Sequence, residues 1–202
     1  SLSDNQSYMF KATLIAAKKQ GLTEHTRLTA LCDGASNCWS IVDSLASHCK
    51  GITKILDWFH ISMKFKNTVV PELQKKGFEK AKWHLWRGRV DHALLRLSQT
   101  IASIKDSKQL KKLNQLKFYI ENNRDNIVDY RVRKKQGLAF TSHLAESTVE
   151  SLINQRCKGQ QHMRWTRDGV HPLLQLRAFI ASNDWCVNWQ EKILGAMANP
   201  AQ

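Results

Sequence analysis

Two short apolar runs, each closing on an aspartate, constrain the fold of this chain more than any other feature. Arg27 to Cys32 (RLTALC) ends in Asp33-Gly34, and Ile52 to Leu56 (ITKIL) ends in Asp57. A brief apolar run stopped by a turn signal reads as a buried strand. Between the two runs Trp39, Val42, Leu45 and Ala46 recur at helical spacing, so Trp39 to His48 is predicted as a helix that Ser36 or Asn37 can cap. Strand, helix and strand in so short a span make a βαβ unit, with parallel strands and a right-handed crossover. Such a unit binds ligands at the carboxyl ends of its strands, where Asp33 and Asp57 fall.

The flanking sequence is helical in texture. Tyr8 to Gln20 has apolar Leu14, Ile15 and Ala17 on one side and Gly21 as its stop. From Ile61 onward apolar residues recur at three and four: Met63, Phe65, Val69, Val70 and Leu73, then Leu94, Leu95, Leu97, Ile101 and Ile104, then Leu110, Leu113, Leu116 and Ile120. Several helices are expected, broken at Lys76-Gly77, at Gly88 and at Lys105 to Ser107. Asp125 to Gln136 closes this block, and Gly137 to Ser142 (GLAFTS) reads as a loop or a short extended segment. A helix then runs from near Leu144 through Glu146 to Arg156, followed by a basic connector, a helix over Gly169 to Ser182 and a last one over Trp185 to Leu194. The expected class is α-rich α/β, divided at 1–60, 61–136, 137–182 and 183–202.

Charge narrows the partners. The chain carries 31 Lys and Arg against 17 Asp and Glu, and residues 61–182 hold the excess, with 24 basic against 10 acidic. A field of that sign favours a polyanion, most plausibly nucleic acid, over a merely solubilising surface. No stretch longer than ten residues lacks an Asp, Glu, Lys or Arg, which excludes a membrane-spanning helix, and Ser1 to Gly21 lacks the pattern of a signal peptide. Five cysteines with no Cys-x-x-Cys pair point to a reduced, cytosolic compartment.

Two carboxylates at one strand edge of a basic protein suggest a divalent-metal site acting on phosphate, although an Asp before a Gly is also an ordinary turn residue. Asp57 and His60, three apart after a strand, could share a hydrogen bond or a cation, or simply start a helix. No HExxH, GxGxxG or Walker lysine motif is present. Lys82-Trp83-His84-Leu85-Trp86-Arg87 interleaves basic and aromatic groups, as does Arg164-Trp165-Thr166-Arg167, and both suit phosphate grip with base stacking. At least one of Trp83 and Trp86 is expected in the core. Arg131, Arg133, Arg156 and Arg177 complete the candidate DNA contacts.

Taken in order, LTALCDGASNCW, ILDWFHISMKF, EKAKWHLWRG, YIENNRDNIVDYRVR, HLAESTVESLINQR and QHMRWTRDGVHPLLQLRA resemble the transposases of ISKra-type bacterial insertion sequences, related to Mutator-like transposases. The likeness runs from about Lys11 to about Asp184. It implies an RNase H-like DDE enzyme in which three carboxylates hold two Mg²⁺ or Mn²⁺ ions for cleavage and strand transfer at double-stranded transposon ends. Asp33 matches the second carboxylate, Glu146 the third, and Asp57 with His60 the Asp-x-x-His element between them. Glu150, one turn beyond Glu146, competes for that role. Residues 61–136 match the helical insertion of that superfamily, and 137–182 the return to the catalytic core. Nothing ahead of Asp33 resembles the first strand with its Asp. The resemblance therefore implies the C-terminal part of a transposase, inactive alone, in the bacterial cytoplasm at the nucleoid, and leaves a homo-oligomer on DNA open.

Overall fold

β-branched Ile52, Thr53 and Ile55 favour extended backbone. A computed structural model, which describes residues 6–154, 157 and 165–182, places them in a strand. Arg27–Cys32 (β1) and Gly51–Leu56 (β2) form a two-stranded parallel sheet, with Arg27 opposite Gly51 and Cys32 opposite Leu56. The ladder continues one rung past each end, through Lys50 N–H to Thr26 O at 2.9 Å and Asp57 N–H to Cys32 O at 2.8 Å. Both strands alternate at their starts and are covered on both faces at their carboxyl ends, where Ile55 and Leu56 are fully buried.

Before the sheet, α1 (Gln6–Lys19) falls where the apolar spacing put it. The crossover helix α2 (Ser36–Asp43) is shorter than predicted and gives way to a 3₁₀ turn at Ala46–His48. Ser44 turns its hydroxyl back onto Ile41 O at 2.7 Å, a local bond that competes with helix continuation. Neither Ser36 nor Asn37 caps this helix. Its N-cap is Ala35, and the entry turn is held by Asp33, whose Oδ1 accepts the Ala35 N–H at 2.9 Å.

After β2 come α3 (Trp58–Lys66), α4 (Glu72–Trp86), α5 (Val90–Ala102), α6 (Ser107–Asn122) and α7 (Tyr130–Lys135). The breaks at Gly88 and before Ser107 occur as expected. The one at Gly77 does not: Gly77 lies inside α4, and the chain breaks instead across Asn67 to Val70, ahead of Pro71. An interior glycine costs a helix only about 1 kcal/mol. Burial of Phe78, Ala81 and Leu85 on the same helix outweighs that. Leu73 and Val69, expected on the apolar stripe, are 90% and 63% exposed. Leu73 sits five residues ahead of Phe78, about 140° around the helix from it.

The helical block and the sheet share one core. Ile55 and Leu56 of β2 pack in the same cluster as Ile61, Phe65, Leu85, Leu97, Leu113, Ile120 and Tyr130. Two tyrosines extend this union to the strand ends: Tyr130 Oη donates to Leu56 O and Tyr119 Oη to Asp33 O, each at 2.7 Å.

The chain divides into two compact units between Ser142 and His143. In the second, α8 (His143–Val149) runs into a π-helical turn at Glu150–Asn154, and α9 (Arg167–Ala181) begins at Thr166, whose hydroxyl accepts the Gly169 N–H at 3.1 Å. The predicted last helix and most of the basic connector lie outside the described residues. Among the described residues no helix is long and apolar enough to cross a membrane.

Candidate functional site

The parallel register brings Asp33 and Asp57 out at the same sheet edge, each immediately after one of the paired residues Cys32 and Leu56. Their surroundings differ.

Asp57 is 1% exposed and caps α3. Its Oδ1 accepts the N–H groups of Phe59 at 3.1 Å and Ser142 at 2.9 Å. Its Oδ2 accepts His60 Nδ1–H at 2.6 Å and the Ser142 hydroxyl at 2.5 Å. A carboxylate has about four lone-pair sites, so all are engaged. Burial pushes this carboxyl up, but the Ser142 hydroxyl, the His60 ring and the two N–H groups together hold it below the usual aspartate value. In the neutral form of the imidazole an ionised acceptor at Nδ1 places the proton on that nitrogen, and the lone pair then lies on Nε2. The His60 side chain is about one-third exposed, so that nitrogen can meet a solute.

Asp33 is half-buried and less committed. One oxygen accepts the Ala35 N–H, and the Cys38 thiol is pushed up by burial first and then by the Asp33 carboxylate. Gly34 then turns the chain at φ 95°, and a Cβ there would lie 2.9 Å from both Asn123 Nδ2 and a Tyr119 ring carbon. Only glycine fits both the left-handed backbone and this crowding. Asn123 Oδ1 also accepts the Trp39 indole N–H at 3.2 Å, joining α2 to α6 beside the site. Burial, then the charges of Asp33 and Asp57, push Tyr119 well above the ordinary phenol value, so it stays a donor. Cys32 is pushed up to about 11, by burial first and then by Cys38 and Asp33. It is a thiol at neutral pH.

The donors left for a cation in this unit are the Asp33 carboxylate and His60 Nε2. Both suit a hard or borderline divalent ion as part of a ligand set, whereas Asp57 suits the outer role of orienting His60. Among the described residues no group of three His, Cys, Asp or Glu stands close enough to hold an ion. Glu146 lies on α8 in the second unit, and its side chain is outside the described residues. Glu150 opens the π turn, where it accepts Asn154 Nδ2–H at 2.7 Å.

The candidate DNA contacts sort themselves. Trp86 is packed among Trp58, Tyr130 and Phe140, with ring centroids 4.8–6.1 Å apart, while Trp83 is 55% exposed. Lys82 places its ammonium 5.9 Å from the Trp58 ring, and Arg87 is exposed beyond α4. Arg131 is exposed and 3.7 Å from Asp129, whereas Arg133 spends its Nε on Ala139 O at 2.9 Å. Arg177 holds Leu152 O and Ser151 O at 2.8 and 2.7 Å, so its geometry is that of a clamp on the π turn. Trp165 is half-buried, with its indole nitrogen buried and unpartnered. Arg156 and Arg164 lie outside the described residues. Sequence reasoning missed Ser142, Tyr119 and Asn123; nothing in GLAFTS favours one hydroxyl over the other.

These features define a helix-rich α/β protein whose parallel strand pair presents an aspartate and an Asp–His couple on one edge. The chain belongs to an uncharacterised protein family, UPF0236, whose model matches residues 24–192. Neither the curated proteins nor the solved structures gave a match.

Proposed function

We propose that the chain is the catalytic region of a metal-dependent DNA transposase of the ISKra and Mutator-like kind, its βαβ unit forming part of an RNase H-like core. Its reaction is phosphodiester cleavage and strand transfer at the ends of an insertion sequence. The observation that carries this reading is the convergence of Asp33 and the Asp57–His60 couple on one sheet edge of a strongly basic chain. Asp33 and Glu146 would hold Mg²⁺ or Mn²⁺, which when bound supplies Lewis-acid polarisation of a phosphate oxygen. His60, oriented by Asp57, offers Nε2 to take a proton from an attacking hydroxyl. Trp83, Arg87 and Arg131 are exposed to meet the DNA.

The test is metal affinity. Manganese binding, read by electron paramagnetic resonance, weakens at least ten-fold in Asp33→Ala and in Glu146→Ala. A second reading, a non-catalytic basic DNA-binding module, draws support from the full engagement of Asp57 and from the lack of a three-ligand cluster among the described residues. Tight DNA binding with no manganese binding at millimolar concentration would sink the catalytic reading and leave this one.

A further inference from the structure

The hairpin of α4 and α5, turned at Gly88, carries a cleft of about 300 Å³ lined by Lys80, Trp83, His84, Arg87 and Arg96. No carboxylate lines it. Of the hairpin's three acids, Asp91 pairs with Arg124 at 2.6 Å and Glu72 with Lys75 at 3.3 Å, and Glu79 lines a different hollow together with Lys82. Arg96 has only the neutral Gln99 Oε1 as a side-chain partner, at 3.2 Å. Three exposed cations thus face one hollow whose lining, among the described residues, holds no carboxylate.

His84 reports the same imbalance from inside. Its pKa is lowered by burial first and then by the positive charges of His92, Arg96, Arg89 and Arg87. Its Nδ1 is buried and has no partner among the described residues, and the ring stacks on His92 at 5.4 Å. Like charges gathered this way raise one another's energy, and an anion seated among them lowers it. Beside them Trp83 leaves a large indole in water, although Trp86, one turn on, is packed in the core. A free aromatic face next to guanidinium and ammonium groups matches a base and its phosphate together.

We propose that this cleft binds single-stranded nucleic acid, with a phosphate held by Lys80, Arg87 and Arg96 and an unpaired base stacked on Trp83. A duplex does not fit this chemistry, because its bases already stack on both faces. The proposal rests on the reading above for its nucleic-acid partner and needs no metal. Lys80, His84 and Arg96 are additions that the aromatic-basic motif did not include.

The experiment measures fluorescence anisotropy of labelled oligonucleotides with the full chain in EDTA. A single strand binds more tightly than a blunt duplex of equal length, and a free mononucleotide competes poorly. Trp83→Ala weakens the single strand about ten-fold with little change in salt dependence, and Trp83→Phe restores most of the loss. Arg87→Ala with Arg96→Ala weakens it further and lowers the salt slope by about 1.4. Lys108→Ala with Lys111→Ala removes the same charge from exposed positions on α6 and has a much smaller effect. Wild-type binding by Trp83→Ala, or equal losses in the two double variants, would overturn the cleft. Because no metal is present, that failure is separate from loss of manganese binding at Asp33.

Discussion

Ser142 gives both its backbone N–H and its hydroxyl to the carboxylate of Asp57, at 2.9 and 2.5 Å, from 85 residues along the chain. The loop after α7 is thereby sewn to the end of β2. His60 depends on this indirectly: Asp57 can orient the imidazole only while its own position is fixed.

Removing the hydroxyl tests the arrangement. In Ser142→Ala the buried Oδ2 loses one of its two donors, and a hydrogen bond to a charged group contributes about 1.5–3 kcal/mol. Urea unfolding is expected to show a loss of that order, with Ser142→Thr retaining most of the stability. A Ser142→Ala chain as stable as the parent would mean that the bond contributes nothing.

Asp57 also sets a pH dependence. Its folded pKa is depressed, so the stability it contributes is fully present above the ordinary aspartate value of about 3.9 and is lost as pH falls through the lower folded value. Asp57→Asn is therefore less stable than the parent at neutral pH, and the difference narrows on acidification below about pH 4. Paired unfolding curves from pH 7 to 3 check the sign. A gap that widens toward acid would contradict it.

Gly34 should tolerate no side chain. Gly34→Ala combines a left-handed φ of 95° with a Cβ 2.9 Å from the Tyr119 ring and the Asn123 amide. The backbone alone costs about 1–2 kcal/mol, and displacing the half-buried Tyr119 ring and the buried Asn123 amide adds to it. A drop in denaturation midpoint equivalent to more than about 2 kcal/mol is expected.

The two tryptophans of the WHLW segment give a contrast within one helix. Trp86→Ala empties an aromatic cluster and is expected to destabilise by about 3 kcal/mol or more. Trp83→Ala changes an exposed residue and should stay within about 0.5 kcal/mol of the parent. Thermal unfolding of the two variants separates them.

The strand pair and its edge were legible because their signals are local: a continuous apolar run, a turn dipeptide and an aspartate at a fixed offset. β1 has the predicted limits, and Asp33 and Asp57 stand at the edge assigned to them. The break assigned to Gly77 failed because burial along the helix overrides a single propensity. Trp83 and Trp86 could not be ranked by spacing, since residues three apart share a face and only the packing of Trp58, Tyr130 and Phe140 decides between them. Ser142, Tyr119 and Asn123 reach the site from far along the chain, and no local pattern marks such partners. The match to UPF0236 supports the family. Metal and DNA chemistry rest on the proposed tests.

The tyrosine hydroxyls that meet the strand ends have a kinetic consequence. Tyr119 reaches Asp33 across 86 residues and Tyr130 reaches Leu56 across 74, whereas the α4–α5 hairpin closes through near neighbours. Contacts between distant segments carry the larger loop-closure entropy and slow their part of folding. In refolding, the hairpin should gain protection from amide exchange first and the carboxyl edge of the sheet last. A nascent chain would then carry its cationic surface before its acidic edge is assembled; on the proposed function, it would meet nucleic acid before it is competent to act on it.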